Sequence, residues 1–211
     1  MLPPTIPIFP LPNVVLFPNV FLPLHIFEPR YRAMVADSLD GDRIIGMTLL
    51  QPGFETAYEG RPGVYPIGCA GVVTHAERLP DGRYNIVLRG IEKFRIDDED
   101  GGRSYRMAHV TALPEVSSAD ERRLLGQQRN RLEAVLAAAM ERRGAEPRFP
   151  PAIPDEDLVN ALSQYLDLQP IERQALLECE GILARCHSLI ELLEMKMLAP
   201  KHAGWGSGRV H

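Results

Sequence analysis

Seven prolines fall within the first 27 residues, at positions 3, 4, 7, 10, 12, 18 and 23, in a largely apolar stretch without a single formal charge. An apolar run of that length would otherwise suggest a long helix, buried or membrane-spanning. Each proline removes a backbone donor and clashes with the preceding turn, costing about 3 kcal/mol in a helix interior. No continuous helix can form on this stretch, and none can span a bilayer. No Lys or Arg precedes the apolar residues, which argues against a secretory signal. What remains is extended structure. Thr5-Ile6-Pro7-Ile8-Phe9 and Val20-Phe21-Leu22-Pro23-Leu24 read as short strands at sheet edges or bulges, where a missing N–H is tolerated.

The β pattern continues beyond this opening. Arg43–Leu50 reads as a buried strand, and a Gly/Pro-rich loop over 51–65 leads to a strand over Gly68–Leu79. Pro80-Asp81-Gly82 is a hairpin signal, and Tyr84–Leu88 returns from it. In a further strand Phe94 and Ile96 alternate with Lys93, Arg95 and Asp97, the period of a half-buried strand. Asp98–Gly102 then turns the chain into Tyr105–Leu113. One helix interrupts the strands at Pro29–Leu39, with Tyr31, Met34, Val35 and Ser38 on one face. About six short strands with several bends suit a small closed or semi-closed barrel.

Near Ser117 the period changes from 2 to 3.6. Ser117 or Ser118 can cap a helix running to Arg143, with Leu125, Gln128, Leu132, Leu136 and Ala139 along one stripe. A proline-rich break, Pro147–Pro154, precedes Asp155-Glu156-Asp157, three acids at the positive end of the next helix. Pro170 opens another helix to about Cys179, and Gly181–Leu198 forms the last. At 211 residues the chain is one large domain or two small ones. The expected organisation is α+β: a barrel over 1–116, a helical bundle over 117–198, and a flexible tail over 199–211.

Catalytic patterns are missing. A P-loop needs Lys followed by Ser or Thr, whereas the three lysines precede Phe94, Met197 and His202. The six histidines form no HExxH, and the adjacent Cys186 and His187 point about 100° apart on a helix. GxSxG is absent, and the glycine-rich tail around Trp205 follows no expected strand and opens no expected helix. The run Asp97-Asp98-Glu99-Asp100 lacks EF-hand spacing and reads as a solvated hairpin loop. Three cysteines without a CxxC fit a reducing compartment, with Cys179 and Cys186 read as small core residues. The expectation is a cytoplasmic, non-enzymatic binding protein with no metal or cofactor.

One constellation remains. His25-Ile26-Phe27-Glu28-Pro29-Arg30-Tyr31-Arg32 gathers charge and aromatics at a strand-to-helix corner, with Glu28 and Arg32 spaced to pair across the helix start. It reads either as a structural corner or as the border of a recognition groove.

Several stretches resemble the N-terminal domain family of Lon protease. Ile6-Pro7-Ile8-Phe9-Pro10-Leu11, Val15-Leu16-Phe17-Pro18 and Leu22–Arg32 are similar to its opening. Gly68–Val73 with Leu79–Arg83 resembles its central hairpin, and Leu88–Ile96 the strands after it. Leu176-Leu177-Glu178 and Arg185 to Leu193 are similar to its helical part. The resemblance implies a PUA-like β-barrel followed by a helical bundle, in a stand-alone form without ATPase or peptidase domains. It further implies recognition of unfolded or tagged polypeptides, with no catalytic dyad carried over.

The expected partner is therefore an unfolded or flexible polypeptide, and a protease is a further candidate. Phe27, Glu28, Arg30, Tyr31 and Arg32, with Phe54, Tyr58 and Tyr65 of the loop over the barrel, are the candidate contacts. RNA binding is the alternative, since PUA-like barrels often serve it. Arg122, Arg123, Arg129, Arg131, Arg142 and Arg143 stand against Asp120, Glu121, Glu133 and Glu141, a net of only +2, which disfavours nucleic acid. Self-association into a homo-oligomeric scaffold is the third reading.

Overall fold

The computed structural model describes residues 2–57, 61–141 and 153–198. The chain runs β1 (Thr5–Leu11), β2 (Phe21–Ile26), α1 (Pro29–Asp40), β3 (Ile44–Leu49), a 3-10 turn (Phe54–Ala57), β4 (Ile67–Arg78), β5 (Tyr84–Asp100) and β6 (Arg106–Leu113). Four helices follow: α2 (Ala119–Glu141), α3 (Asp155–Tyr165), α4 (Pro170–Glu178) and α5 (Ile182–Leu198). The α+β class holds. The sheet order is β2-β5-β4-β3-β1-β6, and an added β5–β6 pairing closes β5, β4, β3, β1 and β6 into a ring, with β2 attached to β5. The expected barrel takes the form of this ring of strands. The tail over 199–211 lies outside the described residues.

β1 is not an edge strand, contrary to the proline-based expectation; it lies between β3 and β6. The two pairings are staggered. Thr5 to Ile8 face β6 and Ile8 to Leu11 face β3. Pro7 falls where only β6 is paired and Pro10 where only β3 is, so each proline nitrogen can face a side without a ladder partner.

The two expected strands over Tyr84–Leu88 and Phe94–Asp97 are one strand, β5, which continues through Asp100. The acidic run is therefore part of the ladder with β6, with a register shift between Ile96 and Asp98, and is not a loop. Pairing with β6 alone carries the strand through these polar residues, since the β4 ladder ends at Arg95. The turn at its start is as expected: Gly82 has φ 81° and its N–H donates to the Leu79 carbonyl at 2.9 Å.

The ring is filled by one aromatic side chain. Phe94 packs with Ile6, Ile8, Ala70, Ala108 and Val110. Gly46 and Gly68 make the slot: a Cβ on either would lie within 2.8 Å of the Phe94 ring. A second, larger cluster joins the two halves of the chain, from Val15, Leu16, Phe17 and Met34 to Leu132, Leu176, Leu177, Leu189 and Ile190. Tyr31, Met34, Val35 and Ser38 form the buried face of α1 as expected. At the start of α2, Ser118 and Glu121 cap each other reciprocally, at 3.2 and 2.8 Å.

The second cluster is crossed by buried polar ties. The Gln164 side chain accepts from the Phe17 N–H at 3.0 Å and donates to the Phe21 carbonyl at 3.2 Å. Lys93, expected on the solvent side of its strand, is 5% exposed, and Arg185 of α5 is fully buried. Both meet Glu115, Lys93 Nζ at 2.9 Å and Arg185 at 2.6 Å, on the same carboxylate oxygen. Lys93 also donates to the carbonyls of Leu177 and Cys179, and Arg185 Nε to that of Leu176. These carbonyls close α4, whose negative end helps to compensate the second cation. Cys179, expected in the core, sits at the end of α4 and is only half-buried.

Candidate functional site

At the corner after β2, Glu28 occupies the N-cap of α1 and Pro29 its first turn. Glu28 pairs with Arg30, whose Nε and terminal nitrogen lie 3.0 Å from the same carboxylate oxygen, and not with Arg32 as the spacing suggested. Arg32 is turned instead toward the β4–β5 hairpin, where its guanidinium fills the space beside Gly82. The Arg30 guanidinium lies 4.6 Å from the Tyr31 ring centre, and that ring lies 4.3 Å from Phe9. Tyr31 is 5% exposed, so it serves mainly as an aromatic plug and offers little surface.

Beside this corner is a cleft of about 310 Å³. Pro10, Leu50, Arg30 and Tyr31 line one part of it, Arg61 and Pro62 another, and Arg103, Ser104, Tyr105 and Arg106 the rest. The α1 corner and the 51–65 loop meet at this cleft through Arg30, Tyr31, Arg61 and Pro62. Loop geometry brings this about: Leu50 bridges Val64, and the Tyr65 N–H donates to the Leu49 carbonyl at 2.9 Å, which folds Arg61 back over β3.

The cleft walls are fixed by ion pairs. Tyr105 donates to Asp37 at 2.6 Å, and one Arg103 nitrogen donates to both Asp37 and the Tyr105 hydroxyl, at 2.8 and 2.6 Å. Burial, and then the bond to Asp37, raise the Tyr105 pKa, so the phenol remains a neutral donor. The hydrogen bond to Tyr105, and then Asp37, raise that of Arg103. Arg106 grips Glu99 through two nitrogens, at 2.7 and 2.5 Å, and donates to the Pro62 carbonyl at 2.8 Å. Arg61 donates to the Asp100 carbonyl at 3.3 Å.

The other candidates are dispersed. Phe27 is 61% exposed and stacks loosely on His25, outside the cleft. Phe54 and Tyr65 are half-buried, and Tyr65 packs on the main core. Tyr58 lies outside the described residues. Sequence reasoning missed Arg61, Arg103, Tyr105 and Arg106. Arg103 and Arg106 follow an acidic run whose composition reads as a solvated loop, and only the β5–β6 register brings Arg106 onto Glu99.

Edge-strand pairing has little to work with. β2 is paired to β5 alone among the described strands, and the Phe21 carbonyl on its outer edge is already taken by Gln164 and by the Tyr165 hydroxyl at 2.6 Å. Alternation puts Pro23 on the same edge, where it has no N–H to offer. Nor do the thiols of Cys69 and Cys186 suit nucleophilic chemistry. Burial pushes Cys69 up to about 12 and Cys186 up to about 11. Among the described residues no helix is long and apolar enough to cross a membrane.

A family model described as the ATP-dependent protease La (LON) substrate-binding domain matches residues 5–195. Lon protease of Flavobacterium johnsoniae is 26% identical over 208 residues, covering 93% of this chain and 24% of that protein. Lon protease 2 of Myxococcus xanthus is 27% identical over 205 residues, covering 92% and 24%. The chain spans about a quarter of the length of these relatives. The N-terminal domain of Mycobacterium avium complex Lon protease shares its fold with a TM-score of 0.64 at 17% identity, covering 90% of this chain and 98% of that one. A Lon N-terminal domain protein from Xanthomonas campestris gives 0.60 at 22% identity, covering 93% and 99%.

Proposed function

The chain belongs to the ATP-dependent protease La (LON) substrate-binding domain family, and from that premise we propose that it is a non-catalytic recognition protein for unfolded or flexible polypeptides. The family match over nearly the whole chain is the observation that carries this reading, because it concerns the substrate-binding region and no other part of the relatives. In this reading the polypeptide is delivered or held, as by an adaptor, a weak chaperone or a modulator of a protease, and is not cut by this chain.

The contact surface in this proposal is the cleft bordered by Arg30, Tyr31, Arg61 and Tyr105. It combines rigid aromatic and proline surface with guanidinium groups of which Arg30, Arg103 and Arg106 are held by their own ion pairs, which lowers the ordering cost of binding. Side-chain capture in a cleft is favoured over strand addition, because on the outer edge of β2 Pro23 has no N–H and the Phe21 carbonyl is already bonded. RNA binding is less well supported: Arg123, Arg129 and Arg131 of α2 are ion-paired to Asp120, Glu133 and Asp155, and Glu194.

Fluorescence anisotropy of a labelled, permanently unfolded polypeptide titrated with the protein tests the reading, with the folded form and an RNA oligomer as controls. Saturable binding of the unfolded form alone is expected. No binding up to about 1 mM, weaker than roughly −4 kcal/mol, would sink it. Binding of RNA alone, falling steeply with salt, would support the alternative.

A further inference from the structure

Four guanidinium groups, those of Arg30, Arg61, Arg103 and Arg106, line the cleft of about 310 Å³, and they are not equally occupied. Arg106 is engaged through all three nitrogens, by Glu99 and the Pro62 carbonyl. Arg103 donates through one terminal nitrogen only, to Asp37 and Tyr105, while more than half of its side chain is exposed. Arg61 is exposed, and its recorded partner is a backbone carbonyl at 3.3 Å; among the described residues it has no ion pair. The carboxylates beside the cleft, Glu28, Asp37 and Glu99, are each committed to one of the other arginines. Among the described residues Arg61 is thus the guanidinium of the cleft that has no carboxylate partner.

Resting on the polypeptide-recognition reading, we propose that the cleft selects for a carboxylate on the polypeptide, received by Arg61 and Arg103. A guanidinium fork matches a carboxylate in geometry and charge, which a neutral amide cannot reproduce. Tyr105 and Asp37 hold Arg103 in place before the ligand arrives, so little further ordering is required. Pro10, Leu50 and Tyr31 offer apolar wall to the stem that bears the carboxylate. The volume suits one side chain or a chain end and is too small for a folded partner. An acidic side chain and a C-terminal carboxylate share this chemistry.

The test uses three labelled, unstructured peptides of one sequence: glutamate at the centre with an amidated end, glutamine with an amidated end, and glutamine with a free C-terminal carboxylate. Each is titrated with the native protein, with Arg61→Gln, and with Arg83→Gln, a surface control on the β4–β5 hairpin that does not line the cleft and pairs with Asp81. At least one carboxylate peptide should bind about tenfold tighter than the amidated glutamine peptide, the size of one charge-assisted hydrogen bond. Which of the two gains identifies the source. Arg61→Gln should erase the difference, and Arg83→Gln should leave it intact. Equal binding of all three peptides would overturn carboxylate selection while leaving polypeptide recognition standing, as would a preference that survives Arg61→Gln. Failure of every peptide to bind would remove both.

Discussion

Replacing Glu115 by Gln keeps shape and removes one charge, but in this fold it leaves two buried cations facing each other. Lys93 Nζ and an Arg185 terminal nitrogen touch the same Glu115 oxygen, at 2.9 and 2.6 Å. They can therefore be no further apart than those two contacts laid end to end. At an effective dielectric of about 20, like charges some 5 Å apart repel by about 3 kcal/mol. The amide retains part of the hydrogen bonding, and Glu115 is slightly exposed, which softens the loss. The carbonyls of Leu176, Leu177 and Cys179 remain to share the positive charge. The expected cost is about 3–5 kcal/mol, the range for breaking a buried ion pair by removing one partner. That is a large part of a typical domain stability of about 5–15 kcal/mol. Urea unfolding followed by circular dichroism measures it. Adding Lys93→Met to Glu115→Gln should recover part of the loss by removing the repulsion. A cost below about 1 kcal/mol for Glu115→Gln, or no recovery in the double variant, would refute the account of the cluster.

Three further outcomes follow from the packing. Gly90→Ala should destabilise by at least about 3 kcal/mol in urea, since its Cβ would fall inside contact distance of the Phe17 backbone carbonyl, and backbone yields less than a side chain. Gly126→Ala, inside α2 with only an ordinary contact to Asp155 at 3.4 Å, should instead stabilise by about 0.5–1 kcal/mol. Gln164→Leu should cost about 1–3 kcal/mol by stripping the buried Phe17 N–H of its acceptor. Because burial raises Cys69 to about 12 and Cys186 to about 11, their thiols stay protonated in the fold while those of the unfolded chain ionise above pH 9. Stability from these groups is intact below pH 9 and falls as pH rises toward 11 to 12; urea midpoints across that range check it, and a thiol reagent should label half-buried Cys179 first.

Local periodicity carried most of the architecture. The buried face of α1 and the stripe Leu125, Leu132 and Leu136 were legible because burial follows the helical period. Non-local pairing was not. Pro7 and Pro10 suggested an edge because no local signal records that β1 exchanges neighbours at Ile8. Lys93 looked like the solvent side of an alternating strand, and only α4 and α5, packed across it from far along the chain, make that side interior. The corner's share of the cleft was legible through Arg30 and Tyr31, whereas the loop's share, Arg61 and Pro62, was not. The other wall was not, because Arg103, Tyr105 and Arg106 acquire their positions from the β5–β6 register and from Asp37 on α1.

The central claim is that a flexible polypeptide is received in the cleft between the α1 corner and the β5–β6 turn. Hydrogen–deuterium exchange with and without a saturating, permanently unfolded polypeptide tests it most directly. The account predicts slowed exchange over residues 29–31, 61–66 and 103–106, with α2 and α5 unchanged. Protection confined to the helices, or none at a polypeptide concentration that saturates binding, would contradict it.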